Sequence, residues 1–461
     1  MLARRESIID WISAWVYRLL PLPPELQRIS EVFPEAHLLD VVTRFYDGEM
    51  GRPSEDPILL LKIMFLSFYH DIKGDENILA TLKYRIDWRQ FCGLSLFAAL
   101  PTRTTLVKFR GRVGPTVIAA LFEQIVEMLR HRGLLDSTHR FFDGTPATAR
   151  ACINPYRDEI YEEPLERLDA KLEQNPSESI ELDLGANPSP VLLKKTRYPV
   201  EQAAVHARRQ EPMKPVSERQ SAGDPDAHFQ RGKHGRSSEL GYEIFFTTDS
   251  KQLFIEAVDV SAEACQGQRI FADKLEQSTP GQAWSVDAEF STGPLLKKAE
   301  EKLVILNTPP RAGSSTGLFP KADFVYRPMS DTYTCPYQQT LSHVSTNRTT
   351  GDKTYRTGKG LCDACPLREQ CTTSKTGRSV TRSPYEPQFE RQRDYAKTPQ
   401  AVIGRVLRGI IAEGKFAEAV RHGLKQMRYV GNTMAVMQSQ LVATILNLKR
   451  LIRLEQAGVL A

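Results

Sequence analysis

Apolar positions along this chain change their pattern near residue 135. Before that point they group into short helical stretches. Pro57-Ile58-Leu59-Leu60-Leu61-Lys62-Ile63-Met64-Phe65-Leu66 follows Ser54-Glu55-Asp56, an acidic start with proline in the first turn, which predicts a helix. Gly74-Asp75-Glu76 introduces a second at Asn77–Leu82, a third forms near Trp88–Phe91, and a fourth starts at Thr104 after Leu100-Pro101-Thr102-Arg103. Ile8 to Leu20 is apolar but interrupted by Asp10 and Arg18, so it reads as an amphipathic helix. Residues 1–135 are therefore expected to be all helical. Short helices between tight turns suit a helix-turn-helix DNA-binding unit, and equally a plain bundle.

From 136 to 310 strands alternate with helices. Phe141-Phe142 is the first strand. Gly241–Thr248 and Gln252–Val258 follow, with Asp249-Ser250 as a hairpin turn. An amphipathic helix around Gln266 to Leu275 leads to a strand ending at Asp287. Ser291-Thr292-Gly293-Pro294 opens a helix through Lys302, and Leu303–Leu306 gives a further strand. The pattern by itself says mixed α/β. Two stretches interrupt it. Residues 151–225 are charged and proline-bearing, with pieces such as Leu165–Leu172, and are expected to be helices plus exposed linker. Residues 311–390, rich in Thr, Ser, Gly and Lys, are expected to be too polar to build a core of their own. Residues 391–461 return to helix.

Composition narrows the class. With 41% apolar and 25% charged residues among 461, the chain is an ordinary globular protein with room for two or three domains. No apolar run approaches the roughly 18–20 residues of a membrane span, and no small-residue cleavage site follows the first helix; a cytoplasmic, membrane-free protein is expected. Net charge is only +5, but it is unevenly spread. Arg391 to Ala461 holds twelve Lys/Arg against four Asp/Glu, whereas Tyr156 to Asp183 holds ten acids against three bases. A basic C-terminal helix can track phosphates or simply be a solvated face.

Seven cysteines are present. Cys92, Cys152 and Cys265 stand alone and read as small apolar residues. Cys335-x26-Cys362-Asp363-Ala364-Cys365-x5-Cys371 offers four thiolates with one Cys-x-x-Cys knuckle. In a chain without a secretion signal that set argues for a structural tetrahedral Zn²⁺, with an iron–sulfur cluster or unligated thiols as alternatives and His343 as a substitute ligand.

Three acids carry the chemistry. Asp143 ends His139-Arg140-Phe141-Phe142-Asp143-Gly144-Thr145, Asp287 ends Ala283-Trp284-Ser285-Val286-Asp287, and Glu413 lies in Ile410-Ile411-Ala412-Glu413-Gly414-Lys415-Phe416. Singly they read as a turn, a helix cap and a solvated helix residue. A carboxylate at the end of a buried strand, however, is costly unless a cation meets it, and three of them suit a hard divalent ion.

Asp143-Gly144-Thr145, Asp287-Ala288-Glu289-Phe290, Glu413-Gly414-Lys415-Phe416 with Gly423 and Arg428-Tyr429-Val430-Gly431, and Asp224-Pro225-Asp226-Ala227 ahead of Gly241-Tyr242 resemble the motifs of DDE transposases of bacterial insertion sequences, relatives of retroviral integrases. The resemblance runs from about Arg52 to Arg453. It implies an RNase H-like catalytic core over 136–310, an all-helical N-terminal domain over 1–135 that binds terminal inverted repeats, a Cys-rich zinc insertion over 311–390, and a C-terminal helical part over 391–461 carrying the third acid. It further implies Mg²⁺ (or Mn²⁺) on Asp143, Asp287 and Glu413, with Asp143 bridging two ions, and double-stranded DNA as partner, both transposon ends and target. A dimer or higher oligomer in the active complex and a bacterial, nucleoid-associated location also follow. Arg405, Arg408, Lys415, Arg421, Lys425 and Arg428 are the candidate phosphate holders. Three positions depart from the family pattern: Glu289 stands where Gly is common, Phe290 where Tyr is, and Val420 where Lys is. Arg421 beside Val420 is turned by about 100° on a helix. A nuclease on the same fold and an inactive domesticated DNA-binding protein are the rival expectations.

Overall fold

The computed structural model describes residues 11–46, 54–136, 138–150, 223–230, 239–262, 266–309 and 318–460. The helical pieces expected within 151–222, together with Cys152 and Cys265, lie outside them. The chain divides into two compact units. The first comprises Met1–Asp136, Asp143–Gly267 and Ile411–Ala461; the second comprises Ser137–Phe142 and Gln268–Ile410.

In the first unit the helices are α1 (Trp11–Leu19), α2 (Pro24–Val32), α3 (Glu35–Thr43), α4 (Pro57–Tyr69), α5 (Asp75–Tyr84), α6 (Ile86–Phe91), α7 (Arg103–Arg112) and α8 (Gly114–His131). The expected starts are found. Asp56 caps α4 by accepting the Ile58 N–H at 2.8 Å, and Thr102 caps α7 through the Thr105 N–H at 3.2 Å. Every residue of α4 is buried, the mark of a helix at the centre of its unit. Its Leu61, Phe65 and Phe68 share one core with Ile118 and Leu121 of α8.

The expected hairpin is also present. β3 (Glu239–Asp249) and β4 (Ile255–Ser261) pair antiparallel, Phe246 opposite Val258. Asp249, fully buried, takes the N–H groups of Lys251, Gln252 and Phe254 at 2.5–2.8 Å. Satisfying three turn donors compensates the burial of that carboxylate. The last helix of the chain (Asn432–Gln456) grips β4 from its side: the amide of Asn447 accepts from the Ile255 N–H at 2.8 Å and donates to the Ile255 carbonyl at 2.9 Å.

Strand β1 (His139–Thr148) crosses the division, Phe142 being the last residue in the second unit and Asp143 the first in the other. It runs five residues past Asp143, rather than ending there as the apolar run suggests. In the first unit β2 (His228–Gln230) and β4 both pair with β3, and in the second β5 (Ala283–Val286) pairs with β1 and β6 (Ile305–Asn307) with β5. In the second unit β1, β5 and β6 are parallel; α9 (Gly267–Glu276) leads into β5, and α10 (Gly293–Glu301) connects β5 to β6, as parallel strands require.

The second unit also corrects an expectation. Residues 318–382 do build a core. β7 (Val325–Arg327), β8 (Thr332–Thr334), β9 (Thr340–Thr346), β10 (Lys353–Arg356) and β11 (Ser379–Arg382) form an antiparallel meander over Phe324, Tyr333, Leu341, Tyr355 and Val380, each at most 3% exposed. Few apolar residues suffice because three are large rings, Phe324, Tyr333 and Tyr355; Tyr355 donates its hydroxyl to Asp331 at 2.6 Å, as the half-buried Tyr326 does at 2.8 Å, so its ring is buried without stranding the polar end. Composition hid this, since alternation places one apolar residue per two along such short strands.

Candidate active site

Around Asp287, all within the second unit, aromatic packing sets the geometry. Phe142 lies opposite Val286 in the parallel register of β1 and β5. The Phe142 ring sits 5.2 Å from Phe271 and 5.4 Å from Phe290, and Phe271 meets Trp284 at 5.5 Å. Asp287 follows Val286, and its carboxylate caps a 3-10 turn, Ala288–Phe290, through the Ala288 N–H at 2.7 Å. The turn delivers Phe290, fully buried, back into the aromatic cluster. That accounts for the Asp-x-x-aromatic spacing: the acid stops the strand and the ring three residues on anchors it. Glu289 faces solvent, so a side chain in place of glycine is accommodated.

Arg408 approaches the same carboxylate, Nη2 to Oδ1 at 3.6 Å. It projects from α13 (Pro399–Arg421), with α11 (Arg368–Cys371) and α12 (Glu386–Tyr395) preceding it. Gly404 lets the start of α13 come close to the strands: a Cβ there would lie 2.5 Å from the Asn307 amide nitrogen and 2.9 Å from Ser285 Oγ. Asn307 donates to the Ala401 carbonyl at 3.0 Å, which fixes the approach.

Asp143 and Glu413 belong to the first unit. The Asp143 carboxylate accepts the Gly144 N–H at 2.9 Å. Gly144 is required by its neighbour, because a Cβ would lie 2.5 Å from the ring of the fully buried Phe245. Glu413 is exposed on α13, while Ala412, Lys415 and Ala419 face inward. Phe416 stacks on Phe246 of β3 at 5.0 Å, seating that stretch of α13 on the hairpin. Among the described residues no three His, Cys, Asp or Glu side chains are grouped so as to hold a metal ion.

The basic residues sort into two kinds. Arg421 and Lys425 are exposed, and Arg405 and Arg408 are half-buried, Arg405 donating to the Ala396 carbonyl at 2.7 Å. Lys415 and Arg428 turn inward. Lys415 is 8% exposed and burial holds its ammonium down at about 8, against the pull of Glu418 and Asp249. Arg428 pairs with Asp71 at 2.7 Å, donates to the Ile72 carbonyl at 3.0 Å and lies 3.9 Å over the Phe68 ring; burial lowers its pKa from the usual arginine value. Lys415 is buried and the Arg428 guanidinium is already spent on internal partners, so the expectation that these two hold DNA phosphates gives way to structural roles.

Lys425 and Arg428 line a cleft of about 1080 Å³ in the first unit, together with Lys73, Arg103, Arg110 and Arg150. No motif in the sequence marked those four. Several of the cleft's cations are partnered, Arg110 with Asp75 at 2.9 Å and Arg103 with Glu76 at 3.6 Å.

Cys335, Cys362, Cys365 and Cys371 line one small cavity of about 30 Å³ in the second unit. Burial pushes the Cys371 thiol up, with the other three cysteines adding to it. The Gln339 N–H donates to Cys335 Sγ at 3.3 Å, and Thr357 Oγ1 meets Cys362 Sγ at 3.1 Å. The sulfurs thus share a pocket without closing to the ligand grouping of a metal site.

Comparison with known families places residues 16–112 in a transposase domain (DUF772) and residues 334–452 in a transposase DDE domain. The second span contains Glu413 and all four clustered cysteines; Asp143 and Asp287 lie outside both. No curated protein matches the chain. Among solved structures it is similar to the piggyBac transposase synaptic complex with hairpin DNA, at 8% identity over 99% of this chain and 78% of that one, with a TM-score of 0.36. A likeness that low decides nothing about fold or activity. The two family matches support a DDE-type transposase, a class of enzyme that acts on DNA. Among the described residues no helix is long and apolar enough to cross a membrane.

Proposed function

We propose that this transposase binds the terminal inverted repeats of an insertion sequence and cuts and joins DNA on an RNase H-like core, with Asp143, Asp287 and Glu413 as ligands for Mg²⁺ or Mn²⁺. The observation that carries the reading is the β1–β5 register. Its last pair is Phe142 with Val286, and Asp143 and Asp287 are the residues that follow these two in the sequence. Strand pairing within each unit supports the fold, β3 and β4 forming a hairpin in the first and β1, β5 and β6 running parallel in the second.

Three carboxylates form a hard-oxygen donor set, which fits these ions rather than a soft metal. When bound, such ions activate the attacking water or 3′-hydroxyl and stabilise the leaving oxygen in an in-line displacement. The chain's own residues position the reactants. Arg408 balances the Asp287 charge, the Phe142–Phe290 cluster fixes the Asp287 turn, and exposed Arg421 and Lys425 hold phosphates electrostatically. The four cysteines, with thiol donors about one cavity, fit a structural Zn²⁺ that would leave no open position for catalysis. Joining two ends calls for at least a dimer of the chain, acting in the cytoplasm on nucleoid DNA.

The test is substitution of each acid. Asp143→Asn, Asp287→Asn and Glu413→Gln are expected to abolish metal-dependent cleavage and strand transfer while end binding persists. Cleavage at the wild-type rate in any one removes that acid from the ligand set. Cutting without joining of pre-cut ends would favour a nuclease on the same fold.

A further inference from the structure

We propose that the β9–β10 ribbon of the second unit is a separate arm that grips duplex DNA, with Arg348 at its tip and Arg356 on its flank against phosphates. The inference rests on the transposase reading only for the identity of the partner; the arm itself is defined by its own residues.

The ribbon outruns the core beneath it. Of the seven residues of β9, only Leu341 is buried. Ser342, His343, Val344, Ser345 and Thr346 are exposed in succession, so both faces of the strand meet solvent. Beyond Leu341 and Tyr355, which belong to the core, the exposed stretch Ser342–Thr350 contributes little to folding, because almost nothing on it is removed from water. It is nevertheless built to hold its shape. Asn347 accepts the N–H groups of Thr349 and Thr350 at 2.9 and 3.3 Å, and Thr350 Oγ1 donates to Asp352 at 2.9 Å. The Asn347 N–H bonds the Asp352 carbonyl at 2.9 Å, and Gly351 supplies the positive φ of 73° that closes the turn.

Its chemistry is that of a phosphate surface. Residues 318–384 carry ten Lys/Arg against five Asp/Glu. Several of those cations serve the fold: Lys353 pairs with Asp331, Arg382 with Glu390, and Arg368 with Asp363. Arg348 and Arg356 are exposed, and among the described residues no carboxylate pairs with either. The ladder also sets Arg327, Thr332, Ser342, Arg356 and Ser379 side by side across all five strands. They occupy the face opposite Tyr355 and Leu341, giving a row of two guanidiniums and three small hydroxyls. Arginine and hydroxyl side chains are the usual donors to phosphate and sugar oxygens, and a two-stranded ribbon is narrow enough for the major groove. The alternative occupant, a second copy of the chain, would need an apolar contact surface, whereas Val344 is the one large aliphatic residue of β9 facing solvent.

The test uses the full-length chain with the double substitution Arg348→Ala/Arg356→Ala, two side chains outside both the core and the proposed catalytic set. Binding of a short fluorescent duplex of mixed sequence is titrated across a salt series, alongside the same single strand and Asp143→Asn. The double variant is expected to bind the duplex about tenfold more weakly, and its log-affinity against log-salt slope is expected to fall by about two. Unchanged duplex affinity and slope in the double variant would overturn the arm, as would an equal loss for single strand alone or a loss of dimer with the slope retained. Failure of the wild-type chain and Asp143→Asn to bind any duplex would instead remove the transposase reading, and the arm with it.

Discussion

Arg408 Nη2 stands 3.6 Å from Asp287 Oδ1, longer than a hydrogen bond, with the guanidinium 16% and the carboxylate 40% exposed. An ion pair at that distance and exposure is a modest interaction, so Arg408 is better placed to balance a site's charge than to hold the fold. Removing it makes the surroundings of Asp287 more negative. Arg408→Gln is therefore expected to lower the Mg²⁺ concentration giving half-maximal cleavage, several-fold, while weakening DNA binding at the same salt. A metal titration of cleavage beside a binding isotherm reads both, and movement of the two in the same direction would contradict the assignment.

Lys415 gives a pH signature. Burial lowers its ammonium from about 10.5 to about 8. Below pH 8 both folded and unfolded chains carry the proton, and the desolvation penalty is felt in full. Between about 8 and 10.5 the unfolded chain keeps the proton that the folded chain has released, so stability rises with pH. The cumulative gain is about 3 kcal/mol at most. Denaturant unfolding of the wild type is expected to show that rise relative to Lys415→Met, which has no such proton. The substitution is expected to leave the salt dependence of DNA binding unchanged, because the ammonium does not reach a phosphate.

Arg428 behaves as a clamp on the first unit. It joins the α4–α5 connection to the turn after α13, through Asp71, the Ser67 hydroxyl at 3.0 Å and the Ile72 carbonyl. Gln438 reinforces the same turn by accepting the Arg428 N–H at 2.8 Å. Arg428→Ala takes a donor from Asp71, the Ser67 hydroxyl and the Ile72 carbonyl and removes a flat cation from the Phe68 ring. With Asp71 still 38% exposed, the loss is expected to be about 2–4 kcal/mol rather than the full cost of a stranded buried charge. Arg428→Lys should recover only part, since an ammonium cannot both stack and fork. Thermal denaturation measures this, and a variant as stable as wild type with weakened DNA binding would return Arg428 to the phosphate surface.

What the sequence made legible here was local chemistry. The helix starts after Ser54-Glu55-Asp56 and Leu100-Pro101-Thr102-Arg103, the Asp249 turn and the strands leading to Asp143 and Asp287 could be read because each depends on neighbours in the chain. The inward orientation of Lys415 and Arg428 could not. One helical step separates exposed Gly414 from buried Lys415, and nothing in the composition of α13 tells which face β3 will cover. The partners of Arg428, at Ser67, Asp71 and Ile72, lie more than 350 residues away in the chain. The meander over 318–382 escaped for a different reason: its core consists of five residues scattered among Thr, Ser and Lys, and tyrosine hydroxyls satisfied by Asp331 let polar-looking strands be buried.

That small core decides what the cysteines are expected to do. If residues 318–382 depended wholly on metal, removing it would unfold them; with Phe324, Tyr333, Leu341, Tyr355 and Val380 already packed, metal should tighten a loop rather than create the sheet. On the proposed zinc reading, the purified protein is expected to carry about one zinc per chain. Cys362→Ser/Cys365→Ser is expected to lose it, with the β-signal in circular dichroism retained and the melting temperature lowered by several degrees. The strongest local effect should fall on Thr357 and Gln339, whose groups lie against Cys362 and Cys335, and hydrogen exchange of the Gln339 amide reports it directly. Absence of bound metal in wild-type protein prepared with zinc in the medium would leave the four sulfurs as free thiols around their 30 Å³ cavity, and the sheet standing on its aromatic core alone.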